Sequence, residues 1–363
     1  MEKIRLLVTS VGSLVATNLL ESLDSLGRER FFVVGTNSEA EALNNFACDV
    51  VHLVPPSATG AAFHDALEAI ARLERPDLWV PSRDDDVLEL ARLAAARTLP
   101  GQVLAGTPEA AEVICDKWLS ACFARDHGLR IAPTARGLHD ALQLAESHGF
   151  PLICKPRRGF GSRGSRLVFD ARQLTRACVA ADVVVQAMIS PAADIREQLP
   201  DVSAGFPLWY TYVDPGQYSS QWVIAPDGEA IEIGATLNTM HCGRPDRSLR
   251  VDDPALTGTA GGYARALARA GWRGPLNVQC RRTPEGEFVM FELAGRISGG
   301  LGGREALGIA ELWQTFAAFL PDRLPRPTPA AGVAIARKQL CTRGIDAASL
   351  DALVREGVWR HCS

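Results

Sequence analysis

Lysine is scarce in this chain: its 38 basic residues include only Lys3, Lys117, Lys155 and Lys338. Two of these stand where an anion could be held. Lys155 opens Lys155-Pro156-Arg157-Arg158-Gly159-Phe160-Gly161-Ser162-Arg163-Gly164, a basic glycine-rich stretch between two extended apolar segments. Glycines so spaced let backbone N–H groups converge on an anion while the cations supply charge. Lys117 lies about forty residues upstream, in Cys115-Asp116-Lys117-Trp118 at a helix start. An ammonium serves phosphate as a compact point charge, a guanidinium as a planar fork. There is no G-x-x-x-x-G-K-[ST], so the cradle belongs to a hairpin and not to a strand-to-helix P-loop. The plainer alternatives are a basic turn and a solvated helix-end lysine.

A second constellation follows from strand pairing. If Pro284 to Glu287 form a four-residue loop, Thr283 pairs with Phe288, which sets Gln279 opposite Glu292 and Asn277 opposite Ala294 on one face. A glutamine and a glutamate with Cβ atoms about 5 Å apart offer hard oxygen ligands of the kind magnesium takes beside nucleotide phosphates. A solvent-facing polar pair would look the same in sequence. Arg296, Ser298, Gly299 and Gly300 come directly after the strand, which puts a guanidinium beside a phosphoryl group in transfer.

These residues need elements to position them. The first hundred or so residues alternate strands and helices (IRLLVTS, VATNLLESLDSL, FFVVGT, a helix after Thr59, LWVPS, DDVLELARLAAA). That alternation implies a parallel sheet with crossover helices. Strand one is followed by SVGSLVATN, whose single Gly12 falls short of the three glycines of a dinucleotide fingerprint, so a nicotinamide dehydrogenase is disfavoured. From about residue 117 a small α+β unit runs to VVVQAMI. Residues 190–216, rich in proline, glycine and aromatics, form a long loop or insertion. Two hairpins, turning at Pro226-Asp227-Gly228 and at Pro284–Glu287, flank an alanine-rich helix. A proline-rich linker at 321–330 leads to a terminal strand and helix. The divisions are 1–114, 115–187, 188–328 and 329–363.

Composition narrows the function classes. Net charge is -4, with 47% hydrophobic residues, so no global field gathers nucleic acid or a membrane surface, and neither is expected as a partner. No stretch is long enough to cross a bilayer. Nine scattered cysteines form no C-x-x-C pair, which disfavours a structural zinc or disulfide framework and suits a reducing cytoplasm. Several sit in apolar runs as small hydrophobes.

Taken in order, these parts resemble the ATP-grasp superfamily over roughly residues 1–320, in its carbamoyl-phosphate-synthetase-like and amino-acid-ligase-like branch. The resemblance implies an N-terminal parallel α/β (pre-ATP-grasp) domain followed by a two-lobed ATP-grasp fold that uses ATP and Mg2+, with Mn2+ as a substitute. Lys117 and Lys155 match the nucleotide-phosphate lysines. Gly159, Gly161, Ser162, Arg163 and Gly164 match the flexible loop over them, and Gln186, Ala187, Met188 and Ile189 the hinge that recognises adenine. Gln279 and Glu292 match the metal ligands, and Arg296 the phosphate-facing arginine. The chain departs from the pattern at Glu292-Leu293-Ala294, where E-x-N is common; Asn277 or a water would fill the missing position. It departs again at Gln217, where a ribose-facing glutamate is usual; glutamine still accepts a hydrogen bond.

The implied activity is ADP-forming ligation of a small carboxylate, such as an amino acid, to an amine or thiol through an acyl phosphate. Alternatives are an ATP-binding module without turnover and a bicarbonate-dependent carboxylase-type ligase. Candidate substrate contacts are His241, Arg244, Arg247 and Arg250, with Phe206, Trp209, Tyr210 and Tyr212 of the insertion; for the arginines a solvated polar loop is the alternative. A homodimer is the default for a soluble enzyme.

Overall fold

The computed structural model describes residues 2–159, 161–180, 182–189, 213–241, 243–328, 332–339 and 342–361. Most of the 190–216 insertion, with its four aromatic residues, and Cys242, Cys341 and Cys362 lie outside them.

Three sheets organise the chain. The first holds β1 (Ile4–Val8), β2 (Phe31–Asn37), β3 (Val50–Leu53), β4 (Leu78–Val80) and β5 (Gln102–Val103), all parallel in the order β3-β2-β1-β4-β5. Its strands are buried on both faces, which explains the near-continuous apolar runs. β3 and β5 are too short to stand out in the sequence. The second sheet, β6 (Thr134–Arg136), β7 (Leu152–Pro156), β8 (Arg166–Val168) and β9 (Val183–Ala187), is antiparallel in the order β6-β9-β7-β8. The glycine-rich stretch joins β7 to β8.

The third sheet contains β10 (Val213–Ile224), β11 (Ala230–His241), β12 (Arg244–Val251), β13 (Gly274–Arg282), β14 (Phe288–Ala294) and β15 (Ala336–Arg337), ordered β14-β13-β10-β11-β12-β15. The described residues of the segment TLNTMHCGRPDRSLR are therefore mostly paired strand, not loop: β11 runs to His241 and β12 starts at Arg244, which pairs with it. One face of this sheet, with Trp222, Ile224, Leu276, Val278 and Cys280, packs on the helix Pro254–Arg269 through Leu256, Tyr263 and Leu267. The other is polar.

The C-terminal extension touches two sheets. Its β15 pairs with β12, and its last strand, β16 (Val358–Arg360), adds antiparallel to β3 at the edge of the first sheet. Buried Glu74 fixes the second junction, accepting from Arg5 at 2.8 Å and Arg360 at 2.6 Å, with His52 Nε2 at 3.1 Å. An extension tied at both ends in this way limits how far the two sheets can separate.

Below the loop after β14, Arg304 (1% exposed) pairs with Glu311 (0%) at 2.5 Å and donates to Ser298 Oγ. Next to them, burial pushes the Glu305 carboxyl up to about 7 from its ordinary 4.5, although the Leu312 N–H donates to it at 2.8 Å. The folded protein thus keeps a proton that the unfolded chain releases, so the contribution of Glu305 to stability falls as pH rises from about 4.5 through about 7 and then levels off. Glu305→Gln should flatten that slope and be the more stable form at pH 8 by about 1–3 kcal/mol. Urea unfolding at pH 5 and pH 8 measures it; an unchanged slope in the variant would rule the residue out as its source.

Candidate active site

Asp116 sets the position of the first cation. It caps the helix Lys117–Asp126, accepting from the Trp118 and Leu119 N–H groups, so Lys117 begins that helix. Fully buried, Asp116 also pairs with Arg157, and the Lys117 N–H donates to the Arg157 carbonyl at 3.0 Å. The base of the flap is thereby locked to the helix start. Lys117 Nζ donates to the Gly159 carbonyl at 2.8 Å. Sequence reasoning passed over Asp116, although an aspartate directly before a helix is a readable cap.

Lys155, on β7 and 7% exposed, donates to Gln186 Oε1 at 2.8 Å and stands 4.8 Å from the Phe291 ring centroid. Gln186 in turn donates to Thr134 Oγ1 at 3.1 Å. A neutral amide and an aromatic face thus both orient the ammonium. Ala187 N–H donates to Pro133 O at 2.9 Å, and Met188 and Ile189 continue the hinge along the cavity.

The floor comes from β13 and β14. Gln279 lies opposite Glu292 and Asn277 opposite Ala294, but the route to that register differs from the expected one. Arg282, not Thr283, pairs with Phe288, and the turn is the three residues Pro284 to Gly286, with Gly286 at φ +90° and the Thr283 N–H bonded to Glu287 O. A bulge at Phe291 then adds the residue that restores the pairing. Phe291 meets the cavity as a result, with the Arg281 guanidinium 5.3 Å from its ring.

A cavity of about 510 Å³ opens between the second sheet with its flap and the third sheet. Lys117, Lys155, Gly159, Gly161, Ser162, Arg163, Gln186, Ala187, Ile189, Gln217 and Glu292 all line it, and so do Arg166, Met240, Gly243, Arg281 and Phe291, which the sequence did not single out. Among the described residues five cations face one carboxylate there, which suits a polyanion. Gly164 is outside the lining, packed against Pro156. Gln279 is one layer behind, accepting from Gln217 Nε2 at 2.5 Å.

Asn277 is buried with its Oδ1 lacking a hydrogen-bond partner among the described residues. Arg296 also lies outside the lining, its guanidinium 2.9 Å from Asp84 of the first domain. Burial opposes that charge, but Asp84 and Glu292 more than offset the penalty, so the guanidinium is held even more firmly charged. Its Nε is buried without an acceptor among the described residues.

No group of three or more His, Cys, Asp or Glu among the described residues could hold a metal. A divalent ion here would rest on Glu292, on the amide oxygens of Gln279 and Asn277, and on phosphate oxygens of a ligand. The orphaned Asn277 Oδ1 fits that use. Cys48, Cys154 and Cys280 do not take part: burial pushes Cys48 and Cys280 up to about 12 and Cys154 to about 11, which keeps them as inert thiols.

With this geometry, the likeness to known proteins is informative. Residues 116–192 match the family described as Carbamoyl-phosphate synthase L chain, ATP binding domain. The Carbamoyl phosphate synthase large chain of Ralstonia nicotianae is 27% identical over 146 residues, 40% of this chain and 13% of that protein. The match therefore spans about an eighth of that relative's length. Among solved structures, L-amino acid ligase from Bacillus licheniformis superposes with a TM-score of 0.64 at 16% identity, covering 88% of this chain and 75% of that one. The biotin carboxylase domain of Hydrogenobacter thermophilus 2-oxoglutarate carboxylase gives 0.64 at 14% identity, covering 90% and 72%. The chain has the fold of the ATP-grasp ligases, as its motifs implied. No helix among the described residues is long and apolar enough to cross a membrane.

The flap has a seat. A Cβ on Gly243 (φ +71°), at the tip between β11 and β12, would lie 2.9 Å from the Gly161 carbonyl oxygen. Gly243→Ala should therefore lift the flap and speed tryptic cleavage after Arg163 roughly fivefold. Gly228→Ala, in the turn between β10 and β11 (φ +94°), strains its backbone similarly and should leave that rate unchanged. Equal cleavage rates in the two variants would mean that the flap does not rest on this tip.

Proposed function

We propose that the chain is an ATP-dependent, ADP-forming ligase that joins a small carboxylate to an amine or thiol through an acyl phosphate. The observation that supports this best is the cation-lined cavity closed between the glycine flap and the β13–β14 ribbon. The matched carbamoyl-phosphate-synthase segment and the neighbour solved with MgADP and bicarbonate support nucleotide use.

In this reading ATP occupies the cavity with its base toward Met188, Ile189 and Phe291 and its phosphates under the flap. Lys117 and Lys155 hold the phosphate oxygens, and the flap's glycine N–H groups close over them. Glu292, Gln279 and Asn277 would hold Mg2+, which offsets charge on the phosphate oxygens. The substrate carboxylate attacks the terminal phosphorus, ADP leaves, and the amine or thiol then displaces phosphate from the acyl carbon. Arg296, anchored by Asp84, stands at the floor's end to balance the transferring group. The closed flap keeps water from the acyl phosphate. No protein nucleophile is needed, in keeping with the buried thiols.

The decisive measurement is a pairwise panel of carboxylates and amines with ATP and Mg2+, following phosphate release and product mass. ADP and phosphate are expected; AMP with pyrophosphate would mean adenylation instead. Nucleotide binding with no turnover on any pair would identify an inert module, the reading that Ala294 favours. Lys155→Ala should lower kcat/KM at least about 100-fold, near 2.7 kcal/mol of transition-state stabilisation, and activity within threefold of wild type would remove the cradle from the mechanism. Asn277→Ala should raise the Mg2+ needed for half-maximal rate about tenfold. An unchanged Mg2+ requirement would take Asn277 out of the metal set.

A further inference from the structure

Lys338, half-buried, lies far from both phosphate lysines in sequence yet is joined to the site through the third sheet. Its N–H bonds to the Asp246 carbonyl at 2.9 Å, two residues past the Ala336–Ser248 pair. By strand alternation its side chain shares the polar face of the third sheet with Ser248 and Asn238. Ser248 donates to Asn238 at 2.8 Å, and Asn238 donates to the carbonyl of cavity-lining Gln217 at 3.3 Å. The polar face is thus continuous from the cavity to Lys338.

The surroundings of this ammonium are unusual. Nζ donates at 2.8 Å to Asn18 Oδ1, and Asn18 Nδ2 donates at 3.0 Å to the carbonyl of Gly299, in the loop just after β14. Among the described residues no carboxylate lies within ion-pair distance of Lys338. Glu21, exposed on the helix Leu14–Ser22, acts only at longer range. The other charge it feels is Arg244, next to Gly243 at the flap seat, and burial together with that like charge lowers the Lys338 pKa. Lys338 and Arg244 are both half-buried, and among the described residues the one bonded partner of the Lys338 ammonium is a neutral amide, so an anion reaching the pair would gain from both charges.

We propose that Lys338 and Arg244, steadied by Asn18, form an anion subsite for the acid substrate, which therefore carries a second anionic group, carboxylate or phosphate, besides the carboxylate that is activated. This rests on the ligase reading above and narrows its substrate class to doubly anionic acids. The subsite borders the flap seat on one side and the Ser298–Gly300 loop on the other, so it would hold the far end of the acid while the near end reaches the transferring phosphate.

Calorimetric titration of the whole chain with MgADP present tests it, using succinate, phosphoglycolate and acetate as probes. One of the two dianions should bind at least tenfold more tightly than acetate, and which one it is distinguishes a carboxylate from a phosphate as the second group. Lys338→Gln keeps a donor for Asn18 but loses the charge. It should weaken dianion binding at least tenfold, with the unfolding temperature and the affinity for a fluorescent ADP analogue unchanged. Arg244→Gln should do the same, and Lys338→Arg should restore binding. Equal binding of acetate and both dianions, or undiminished dianion binding in Lys338→Gln and Arg244→Gln, would overturn the subsite while leaving the ligase reading intact. Failure of wild type to bind MgADP would overturn both.

Discussion

The register of β13 against β14 governs the floor of the site, because side chains alternate faces along a strand and a slip of one residue would turn Glu292 away from the cavity. Two local features fix it. The tight turn Pro284–Gly286 starts the pairing one step earlier than a four-residue loop would, and the bulge at Phe291 adds the step back. Both must be present for Glu292 to face Gln279. The bulge also aims an aromatic ring into the cavity, where it meets Lys155 and Arg281. One irregularity therefore sets the carboxylate and supplies the aromatic wall.

What could be seen in the sequence follows how far apart the cooperating residues are. Lys117 at a helix start, the flap between two strands, and the opposed Gln279 and Glu292 are local or nearly so, and periodicity with turn chemistry reveals them. The Gln279–Glu292 pairing was nevertheless reached through a loop one residue too long and without the bulge, two errors of opposite sign. Phe291 is hidden by that reading, since an unbroken ladder turns it to the opposite face, whereas Arg281, two residues from Gln279 on the same strand, shares its face by alternation alone. Contacts across the chain were out of reach: Arg296 with Asp84, and Lys338 with Asn18, depend on how the sheets meet, and no pattern within a strand or helix encodes that. The same holds for β16, a three-residue strand whose partner is more than three hundred residues away.

The two faces of the third sheet show what function adds to folding. Toward the helix Pro254–Arg269 the sheet presents Trp222, Ile224, Leu276, Val278 and Cys280, and the one serine on that side, Ser220, receives the Trp222 indole N–H at 2.9 Å. Every polar group there is covered or paired, as a core requires. The opposite face is just as buried but carries Ser219, Gln221, Thr236, Asn238 and Asn277. Gln221 has neither amide atom bonded, and Thr236 Oγ1 and Asn277 Oδ1 are likewise without partners among the described residues.

Each such group costs about 1–3 kcal/mol when it is left unsatisfied, and apolar side chains of similar size would remove the cost at once. Sheet formation does not need these amides, because the ladder bonds are made by the backbone whatever the side chains are. Their retention on one face only, in a continuous row from Glu292 past Gln217 to Lys338, points to polar ligands arriving on that side. The same asymmetry accounts for the C-terminal extension. By pairing with β12 and with β3 it holds the first sheet over the polar face, so that Asp84 reaches Arg296 and Asn18 reaches Gly299. Catalysis by positioning requires groups from separate units to stay within hydrogen-bond distance of one another, and a strap anchored at both ends provides that without adding a residue to the cavity wall.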